Sequence, residues 1–394
     1  MGPLDGIKVL DLTRLLPGGY CTLLLADLGA EVLKVEDPFL GDYVRWYPPI
    51  VGKESAMHHY LNRNKKSITL NLKSEKAREI LYKLVADYDI FIESFRPGVV
   101  KKLGIDYETL EDINPRLVYL SLTGFGQYGP YRELPGHDIN YIGIAGILGI
   151  TGERNGPPVI PGVQIADLSG GMFAAFSVLA GLVSRERTGR GQYIDFAMLD
   201  GVVSWLSVHA ARYFVEKVNP KRGEMLLSGA LPIYNVYETK DGKYISIGSL
   251  EDKFWKNMFK AIGREDLAQI DESFREMQLD KLDKVTEELR KIFLTKTRDE
   301  WVKLFWENDV CAGPVYTFEE TFNDPQVKAR NMVIELDDPE VGKLKQVGIP
   351  IKFSKTPGEI RSRAPHLGEH NEEILLKLGY SEGEIKQLKK EQAI

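Results

Sequence analysis

Residues 7–35, IKVLDLTRLLPGGYCTLLLADLGAEVLKV, decide the fold. The run from Ile7 to Leu12 is short and apolar, which is typical of a buried strand, and Pro17-Gly18-Gly19 follows it as a turn. A helix-like segment from Tyr20 to Leu28 then leads into a second apolar run from Val32 to Val35. This β-turn-α-β order predicts two parallel strands joined by a helix. The turn lacks G-x-G-x-x-G, so we expect the topology of a dinucleotide fold without a nicotinamide cofactor.

The same alternation continues along the first half of the chain. Strand-like runs at Ser67–Leu72, Ile90–Ile92 and Leu117–Leu122 are separated by helical patterns such as Ser74–Ala86. Strands that alternate with helices are typical of a parallel sheet covered on both faces. The sequence therefore predicts an α/β protein whose large domain is doubly wound with a mostly parallel sheet.

The pattern changes near residue 220. Two strand-like runs, Ile233–Tyr237 and Tyr244–Ile247, flank Lys240-Asp241-Gly242, which is typical of the tip of a β-hairpin. Helical patterns follow up to about residue 307. We therefore predict that residues 1–220 form the N-terminal part of the large domain and residues 221–322 a smaller α+β domain.

Composition excludes several classes of protein. The 394 residues contain 51 Lys+Arg and 57 Asp+Glu, a net charge of -6, which provides no basic field for nucleic acid or a membrane surface. Two cysteines, Cys21 and Cys311, indicate neither a disulfide framework nor a thiolate metal site, and they fit a reducing cytoplasm. Neither a signal peptide nor a membrane span is expected.

Two charged landmarks occur in glycine-rich surroundings between residues 135 and 181. They are Gly136-His137-Asp138-Ile139-Asn140-Tyr141 and Ala166-Asp167-Leu168-Ser169-Gly170-Gly171. The residues after Gly171 predict a buried, largely apolar helix, with Asp167 at its N-terminal end. An aspartate there is explained structurally as a helix cap, because a helix N-terminus stabilises negative charge.

Longer motifs point to chemistry. The strings GHDINYIGIAGIL, IADLSGGMFAAF, RTGRGQYIDFAMLDG and GFGQYGP together resemble the class III CoA-transferase superfamily, and within it the α-methylacyl-CoA racemases. The resemblance covers nearly the whole chain. It implies that residues 323–394 return to the large domain, and that two subunits interlock as a homodimer with each small domain facing the partner's large domain.

The racemase resemblance implies a role for four residues. A racemase exchanges the α-proton of a 2-methylacyl-CoA thioester through an enolate, which requires two bases on opposite faces. The resemblance assigns His137 and Asp167 as these bases, the backbone amide of Asp138 as a donor to the enolate oxygen, and Glu251 as the partner of His137. From local sequence alone, His137 is as readily a loop histidine, Asp138 a turn cap, and Glu251 a first-turn helix acid.

The alternative is a CoA-transferase of the same fold. In that reaction Asp167 attacks the thioester, forms a mixed anhydride and passes CoA to another carboxylate. His137 together with Glu251 favours the racemase, whereas Ser228-Gly229-Ala230-Leu231-Pro232 departs from the racemase pattern. A non-enzymatic acyl-CoA-binding protein is a third possibility that leaves the ionisable groups without purpose.

An acyl-CoA substrate needs local cations for its phosphates. The candidates are Arg96, Arg63, Lys65 and Lys66, of which Arg96 is the best because it precedes Pro97-Gly98 directly after a buried strand. A racemase of this type can place an arginine where this chain has Glu36-Asp37-Pro38. No separate cofactor and no metal are expected, since CoA is part of the substrate.

Overall fold

The structure is a computed structural model that describes residues 2–268 and 278–394. The chain divides into two compact units. The first unit comprises the chain up to Ala145, Val163–Trp205 and Lys328–Ile394, and the second comprises Gly146–Gly162 and Leu206–Val327. The main change of unit therefore falls at residue 206 rather than 221, and the return falls at residue 328, five residues after the predicted position.

The strands follow one another along the chain from Lys8 to Val347. They are β1 (Lys8–Leu12), β2 (Glu31–Glu36), β3 (Ile50–Val51), β4 (Glu54–Ser55), β5 (Lys65–Thr69), β6 (Ile90–Glu93), β7 (Val118–Thr123), β8 (Gln192–Ala197), β9 (Tyr234–Glu238), β10 (Tyr244–Gly248), β11 (Ala312–Val315), β12 (Val333–Asp338) and β13 (Gly342–Val347). The helices of the first unit are Leu15–Asp27, Ala56–Leu61, Glu75–Val85, Val99–Leu103, Tyr107–Ile113, Asp138–Ile144, Ile165–Thr188, Met198–Ser204, Asn371–Lys377 and Glu382–Lys390. Those of the second unit are Ile147–Ile150, Ser207–Glu216, Asp252–Ala261, Leu279–Phe293, Arg298–Glu307 and Phe318–Asn323, and Pro325–Ala329 crosses the boundary at residue 327.

The first unit is built on a six-stranded sheet in the order β5-β2-β1-β6-β7-β8. Every neighbouring pair in it is parallel, which confirms the predicted parallel sheet in a mixed α/β protein. The chain adds β2 and β5 on one side of β1, and β6, β7 and β8 on the other. The strand order therefore reverses between β1 and β6, and ligands of doubly wound sheets bind in the crevice at the carboxyl ends of such a strand pair.

The helix after β1 begins earlier than predicted. It runs from Leu15 to Asp27 and contains Pro17-Gly18-Gly19, which the sequence analysis assigned to a turn. Proline is tolerated in the first turn of a helix, where backbone N–H groups have no partner within the helix. Gly18 is needed for close packing, since a Cβ atom there would lie 2.1 Å from the side chain of Thr13.

One hydrophobic cluster of the first unit packs on one face of this sheet. Leu10, Leu33 and Phe91 of the sheet pack with Ile80 of the helix Glu75–Val85, and the C-terminal helices add Leu375 among others. The last 67 residues thus contribute to the same core as the first strands, because Lys328–Ile394 belong to this unit.

The helix Ile165–Thr188 is long and apolar enough to cross a membrane, as judged by length and composition alone. Half of its most apolar window is buried inside the protein. Its residue Gly171 packs closely against the helix Leu15–Asp27, because a Cβ atom there would lie 2.6 Å from the carbonyl oxygen of Pro17. These features are typical of the core helix of a soluble α/β protein.

The second unit contains the antiparallel sheet β11-β10-β9. β9 and β10 form the predicted hairpin, and β11 pairs with β10. Tyr237 of this sheet stacks on Phe293 of the helix Leu279–Phe293, with ring centroids 4.6 Å apart.

Candidate active site

The cavity that contains the predicted site lies at the carboxyl edge of the six-stranded sheet. Its volume is about 490 Å³, and residues that directly follow β1, β6 and β7, such as Arg14, Arg96 and Phe125, line it. His137 and Asp167 line the same cavity. The first unit therefore brings together three of the residues that the sequence singled out, at the point where the strand order reverses.

Asp167 lies in the first turn of the helix Ile165–Thr188 and is partly buried. The pKa of its carboxyl group is raised to about 6, mainly by burial and also by the negative charge of Asp138, while His137 opposes the rise. No hydrogen bond to this carboxylate occurs within residues 2–268 and 278–394. Asp167 is thus a carboxylate that is ionised at neutral pH and more basic than an ordinary aspartate.

Asp138 caps the helix that carries Asp167. Its Oδ1 atom accepts hydrogen bonds from the backbone N–H groups of Ala166, at 2.5 Å, and Asp167, at 3.1 Å. The sequence predicted a cap on the turn that directly follows Asp138, whereas the amides that its carboxylate caps lie 28 and 29 residues later. The backbone amide of Asp138, predicted as a donor to an enolate, is in the first turn of the helix Asp138–Ile144, where amides have no acceptor within the helix.

His137 precedes the helix Asp138–Ile144 as its N-cap residue and is exposed. Its backbone N–H donates to Oδ1 of Asn140 at 3.0 Å, which fixes the backbone while the imidazole lines the cavity. Glu251, its predicted partner, belongs to the second unit, where it is the exposed N-cap residue of the helix Asp252–Ala261. The pairing of His137 with Glu251 stays a prediction.

Tyr141 packs against Gly124 and Gly136, which both line the cavity. Its hydroxyl group donates to the carbonyl oxygen of Gly136 at 2.7 Å, and its ring packs on the glycines that flank the cavity. A Cβ atom on Gly124 would lie 2.4 Å from the Tyr141 hydroxyl oxygen, so glycine is required for this contact. The pKa of Tyr141 is raised to about 12, mainly by burial and also by the charge of Asp167, while Arg96 opposes the rise. Tyr141 therefore lies within electrostatic reach of both Asp167 and Arg96.

Two arginines of this cavity are available to a ligand. Arg96 is exposed, and within the described part of the chain its guanidinium forms no ion pair or hydrogen bond. Arg14 lies between two aromatic rings, with its guanidinium carbon 5.5 Å from the ring centroid of Tyr43 and 5.7 Å from that of Phe95. A planar guanidinium that stacks on rings and has no carboxylate partner is well placed to bind an anion.

Arg63 and Lys65, two of the other predicted phosphate contacts, are buried, and this prediction is corrected. Arg63 is 1% exposed and binds Asp27 with two hydrogen bonds, of 3.1 and 2.7 Å. Nζ of Lys65 lies 3.4 Å from Oδ2 of Asp11 and donates to Thr22 at 2.7 Å. Burial lowers the pKa of Lys65 to about 8, with Asp11 opposing that change. Both cations stabilise buried carboxylates in the interior rather than facing a ligand.

The segment Glu36-Asp37-Pro38, where a racemase can have an arginine, also has a structural explanation. Glu36 is buried and accepts two hydrogen bonds from Arg45, of 2.9 and 2.7 Å. The carboxylate is therefore neutralised internally and does not oppose an anionic ligand at this edge.

A second cavity of about 210 Å³ shares residues with the first. Arg14 and Phe95 line both cavities, and Lys73 adds a cation to the smaller one. The sequence analysis missed Arg14, Lys73 and Tyr141. Arg14 could have been found by the argument used for Arg96, since each follows directly on a buried strand whose carboxyl end faces the crevice.

No cluster of histidine, cysteine, aspartate and glutamate that could hold a metal ion occurs among the residues the structure describes. The two cysteines are free, and Cys21 is buried.

Known proteins resemble this chain over nearly its whole length. A model of the family described as CoA-transferase family III matches residues 4–371. The chain is 37% identical over 377 residues to succinyl-CoA:glutarate CoA-transferase of Homo sapiens, covering 95% of this chain and 85% of the human protein. It is 33% identical over 392 residues to alpha-methylacyl-CoA racemase of Homo sapiens, covering 99% of this chain and 97% of that protein.

A solved structure shows the same fold. A CAIB/BAIF family protein from Brucella suis matches with a TM-score of 0.83 and 36% identity, covering 96% of this chain and 99% of that chain.

Proposed function

The chain belongs to CoA-transferase family III, and from this premise we propose that it is a CoA-transferase that moves CoA from an acyl-CoA to a second carboxylic acid. The observation that carries the proposal is the Asp167 carboxylate, which faces the 490 Å³ cavity and has no hydrogen-bond donor of its own within the described residues. A carboxylate in that state is free to act as a nucleophile.

The reaction follows from this nucleophile. An oxygen of Asp167 attacks the thioester carbonyl carbon, the C–S bond breaks, and CoA leaves as a thiolate while a mixed anhydride forms. The thiolate then attacks the aspartyl carbonyl carbon and releases the donor acid, which leaves CoA on Asp167 as a thioester. The acceptor carboxylate attacks the carbonyl carbon of this thioester, the C–S bond breaks, and a second mixed anhydride forms as the CoA thiolate leaves. The thiolate then attacks the acceptor acyl carbon of the anhydride, which gives the new acyl-CoA and releases Asp167 as a carboxylate. Each step exchanges one bond to an acyl carbon for another and needs no oxidant or reductant.

The raised pKa of Asp167 supports this role. At a pKa of about 6 the carboxylate is ionised above pH 7, and it is more basic than at its ordinary value of 3.8. The N-terminal end of the helix Ile165–Thr188 also favours negative charge near Asp167 through the helix dipole.

The charge of the cavity supports anionic substrates. Arg14, Arg96 and Arg132 line it together with His137, and Asp167 is the carboxylate among its lining residues. CoA supplies phosphates for Arg14 and Arg96 at the crevice between β1 and β6. The relative with 37% identity is named for succinyl-CoA and glutarate, so we propose short dicarboxylic acids as the acids that exchange CoA here.

Racemisation of a 2-methylacyl-CoA is the second candidate. It is favoured by His137, which lies close enough to Asp167 to lower the pKa of that group, so two ionisable side chains face one cavity. The transferase takes precedence because it needs Asp167 alone as its reacting group and because the human transferase is the more similar of the two relatives.

We also propose that the enzyme is a homodimer and works in the cytoplasm. The first unit exposes Met172, Phe176 and Val183 on the helix Ile165–Thr188, and the second unit exposes Val208 and Phe214 on the helix Ser207–Glu216. Exposed apolar residues in such numbers are typical of surfaces that contact another protein. Sedimentation equilibrium at assay concentration tests this, and a fully active monomer would refute it.

Two parallel assays decide between the candidate reactions. The purified protein is incubated with succinyl-CoA and glutarate, and glutaryl-CoA is measured by liquid chromatography. In the second assay a 2-methylacyl-CoA alone is incubated in D₂O, and the α-position is followed by NMR. Glutaryl-CoA without α-exchange supports the transferase, whereas α-exchange without any transfer overturns it in favour of the racemase.

A further inference from the structure

Glu93 is a buried carboxylate that the proposed reaction does not use. It is the last residue of β6, is 1% exposed, and stands at the carboxyl end of the strand that borders the switch point. The segment Ser94–Pro97 follows it directly, and all four residues of that segment line the cavity of Asp167.

Both oxygens of the Glu93 carboxylate are held. Oε2 accepts a hydrogen bond of 2.7 Å from the backbone N–H of Phe95, and Oε1 accepts one from the hydroxyl group of Ser121 on β7. The Ser121 oxygen in turn accepts a hydrogen bond of 3.1 Å from the hydroxyl group of Tyr193 on β8. Glu93 therefore ties the first residues after β6 to the neighbouring strand β7 and, through Ser121, to β8.

Burial of the Glu93 carboxylate costs free energy, and no cation among the described residues pairs with it. Asp11 and Asp27, which are also buried, each pair with lysine or arginine. Glu93 has no such ion pair in the described ranges of the chain. The pKa of its carboxyl group is raised to about 7, mainly by burial, while the bonds from Ser121 and Phe95 lower it and the charge of Asp195 raises it. An ionisable group buried at this cost, with its two oxygens bonded to the segment after β6 and to β7, is a candidate for holding that segment in place.

The segment that Glu93 holds carries the ligand-facing groups of the crevice. Phe95 stacks on the Arg14 guanidinium, and the Ser94 hydroxyl oxygen accepts a hydrogen bond of 3.1 Å from the backbone N–H of Arg14. Arg96 follows with its guanidinium free of other protein groups in the described residues. The hydrogen bond from the Phe95 amide to Glu93 anchors this segment to the buried end of β6, beside the bonds from the backbone N–H of Arg14 to Ser94 and from the backbone N–H of Val99 to the Arg96 carbonyl oxygen.

We propose that Glu93 is a positioning residue for CoA: by holding the amide of Phe95 it fixes the backbone from which Arg96 binds a CoA phosphate. This inference rests on the proposed function, since it takes CoA as the ligand of the crevice.

A double-mutant cycle on CoA affinity tests the inference. The dissociation constant of CoA is measured by titration calorimetry at pH 8, where Glu93 is ionised, for wild type, Glu93→Gln, Arg96→Gln and the double variant. Each single change is expected to weaken binding by roughly tenfold, which is the effect of one charge-assisted contact. The double variant should be no weaker than Arg96→Gln alone, since residues that act through one another are not additive.

Ser121→Ala is the matched control. It removes one of the two bonds to the Glu93 carboxylate and leaves the bond from the Phe95 amide, so CoA affinity should stay within about twofold of wild type. Thermal unfolding of each variant is recorded beside the titration. If Glu93→Gln does not fold, Glu93→Asp replaces it in the same cycle, because aspartate keeps the charge but cannot reach the amide in the same geometry.

The possible results distinguish a failure of the role of Glu93 from a failure of the proposed function. Independent losses, with the double variant roughly a hundredfold weaker than wild type, would overturn the role of Glu93, as would unchanged affinity in Glu93→Gln. A wild-type protein that does not bind CoA at all would instead remove the proposed function, and the inference with it.

Discussion

Replacing Asp138 by asparagine removes one negative charge beside Asp167 and keeps an oxygen in place to cap the helix. Asp138 is the second cause of the raised pKa of Asp167, after burial, and the two together raise it from 3.8 to about 6. Since burial is the larger cause, we expect Asp138→Asn to lower the pKa of Asp167 by roughly 0.5 to 1 pH unit. Asp167 must be ionised to act, so activity falls as the pH drops through its pKa.

The expected effect on activity is large enough to measure. At pH 5 about a tenth of Asp167 is ionised in the wild type, and roughly a quarter to a half in the variant. Activity at pH 5, relative to the same protein at pH 8, should therefore be roughly three- to fivefold higher in Asp138→Asn than in wild type. The assay is the initial rate of CoA transfer under saturating substrates between pH 4.5 and 8.5.

Two further variants make the comparison specific. Asp138→Ala also removes the cap on Ala166 and Asp167, so it should shift the profile equally and cost about 0.5 to 2 kcal/mol of stability in urea unfolding. Asp87→Asn changes the net charge by the same amount at an exposed surface site and should leave the profile unchanged. An acidic limb in Asp138→Asn that coincides with that of wild type would refute the coupling between Asp138 and Asp167.

Three other changes test separate parts of the account. Arg63→Met leaves the buried carboxylate of Asp27 without its cation and should destabilise the protein by about 3 to 5 kcal/mol in urea unfolding, while the folded variant binds CoA as wild type does. Gly171→Ala places a Cβ atom 2.6 Å from the Pro17 carbonyl oxygen and should cost about 1 to 3 kcal/mol, with unchanged stability arguing against the close packing of the two helices. Glu251→Gln should leave CoA transfer unchanged, because the transferase needs Asp167 alone as its reacting group; a large loss would revive the pairing that a racemase requires.

The sheet was predictable because its signal is local. Apolar runs such as those at β1 and β6 are buried on both faces, and buried strands read as continuous hydrophobic stretches whatever lies elsewhere in the chain. The start of the helix Leu15–Asp27 was not predictable, because Gly18 and Gly19 are residues that are typical of turns. The small size of Gly18 serves close packing on Thr13, and the sequence does not show that these two residues are in contact.

The sequence predicted some residues of the site correctly and misassigned others. His137 and Asp167 stand in motifs whose order and spacing carry the family resemblance, and both line one cavity. Arg63 and Lys65 were misassigned because a sequence shows a charge but not its partner: Asp27 lies 36 residues from Arg63, and Asp11 lies 54 residues from Lys65. Asp138 was considered as a local cap, but the amides that it caps come 28 and 29 residues later.

Nucleophilic attack by Asp167 is tested by a search for CoA bound covalently to this residue. The protein is incubated with succinyl-CoA, denatured rapidly, digested and analysed by mass spectrometry, with Asp167→Asn treated in parallel. We expect a peptide containing Asp167 that carries CoA as a thioester. Hydroxylamine should remove the CoA from this peptide, and the modified peptide should be absent from Asp167→Asn. An unmodified Asp167 peptide in a sample that has transferred CoA to glutarate would contradict the account, because the transfer would then proceed without the aspartate.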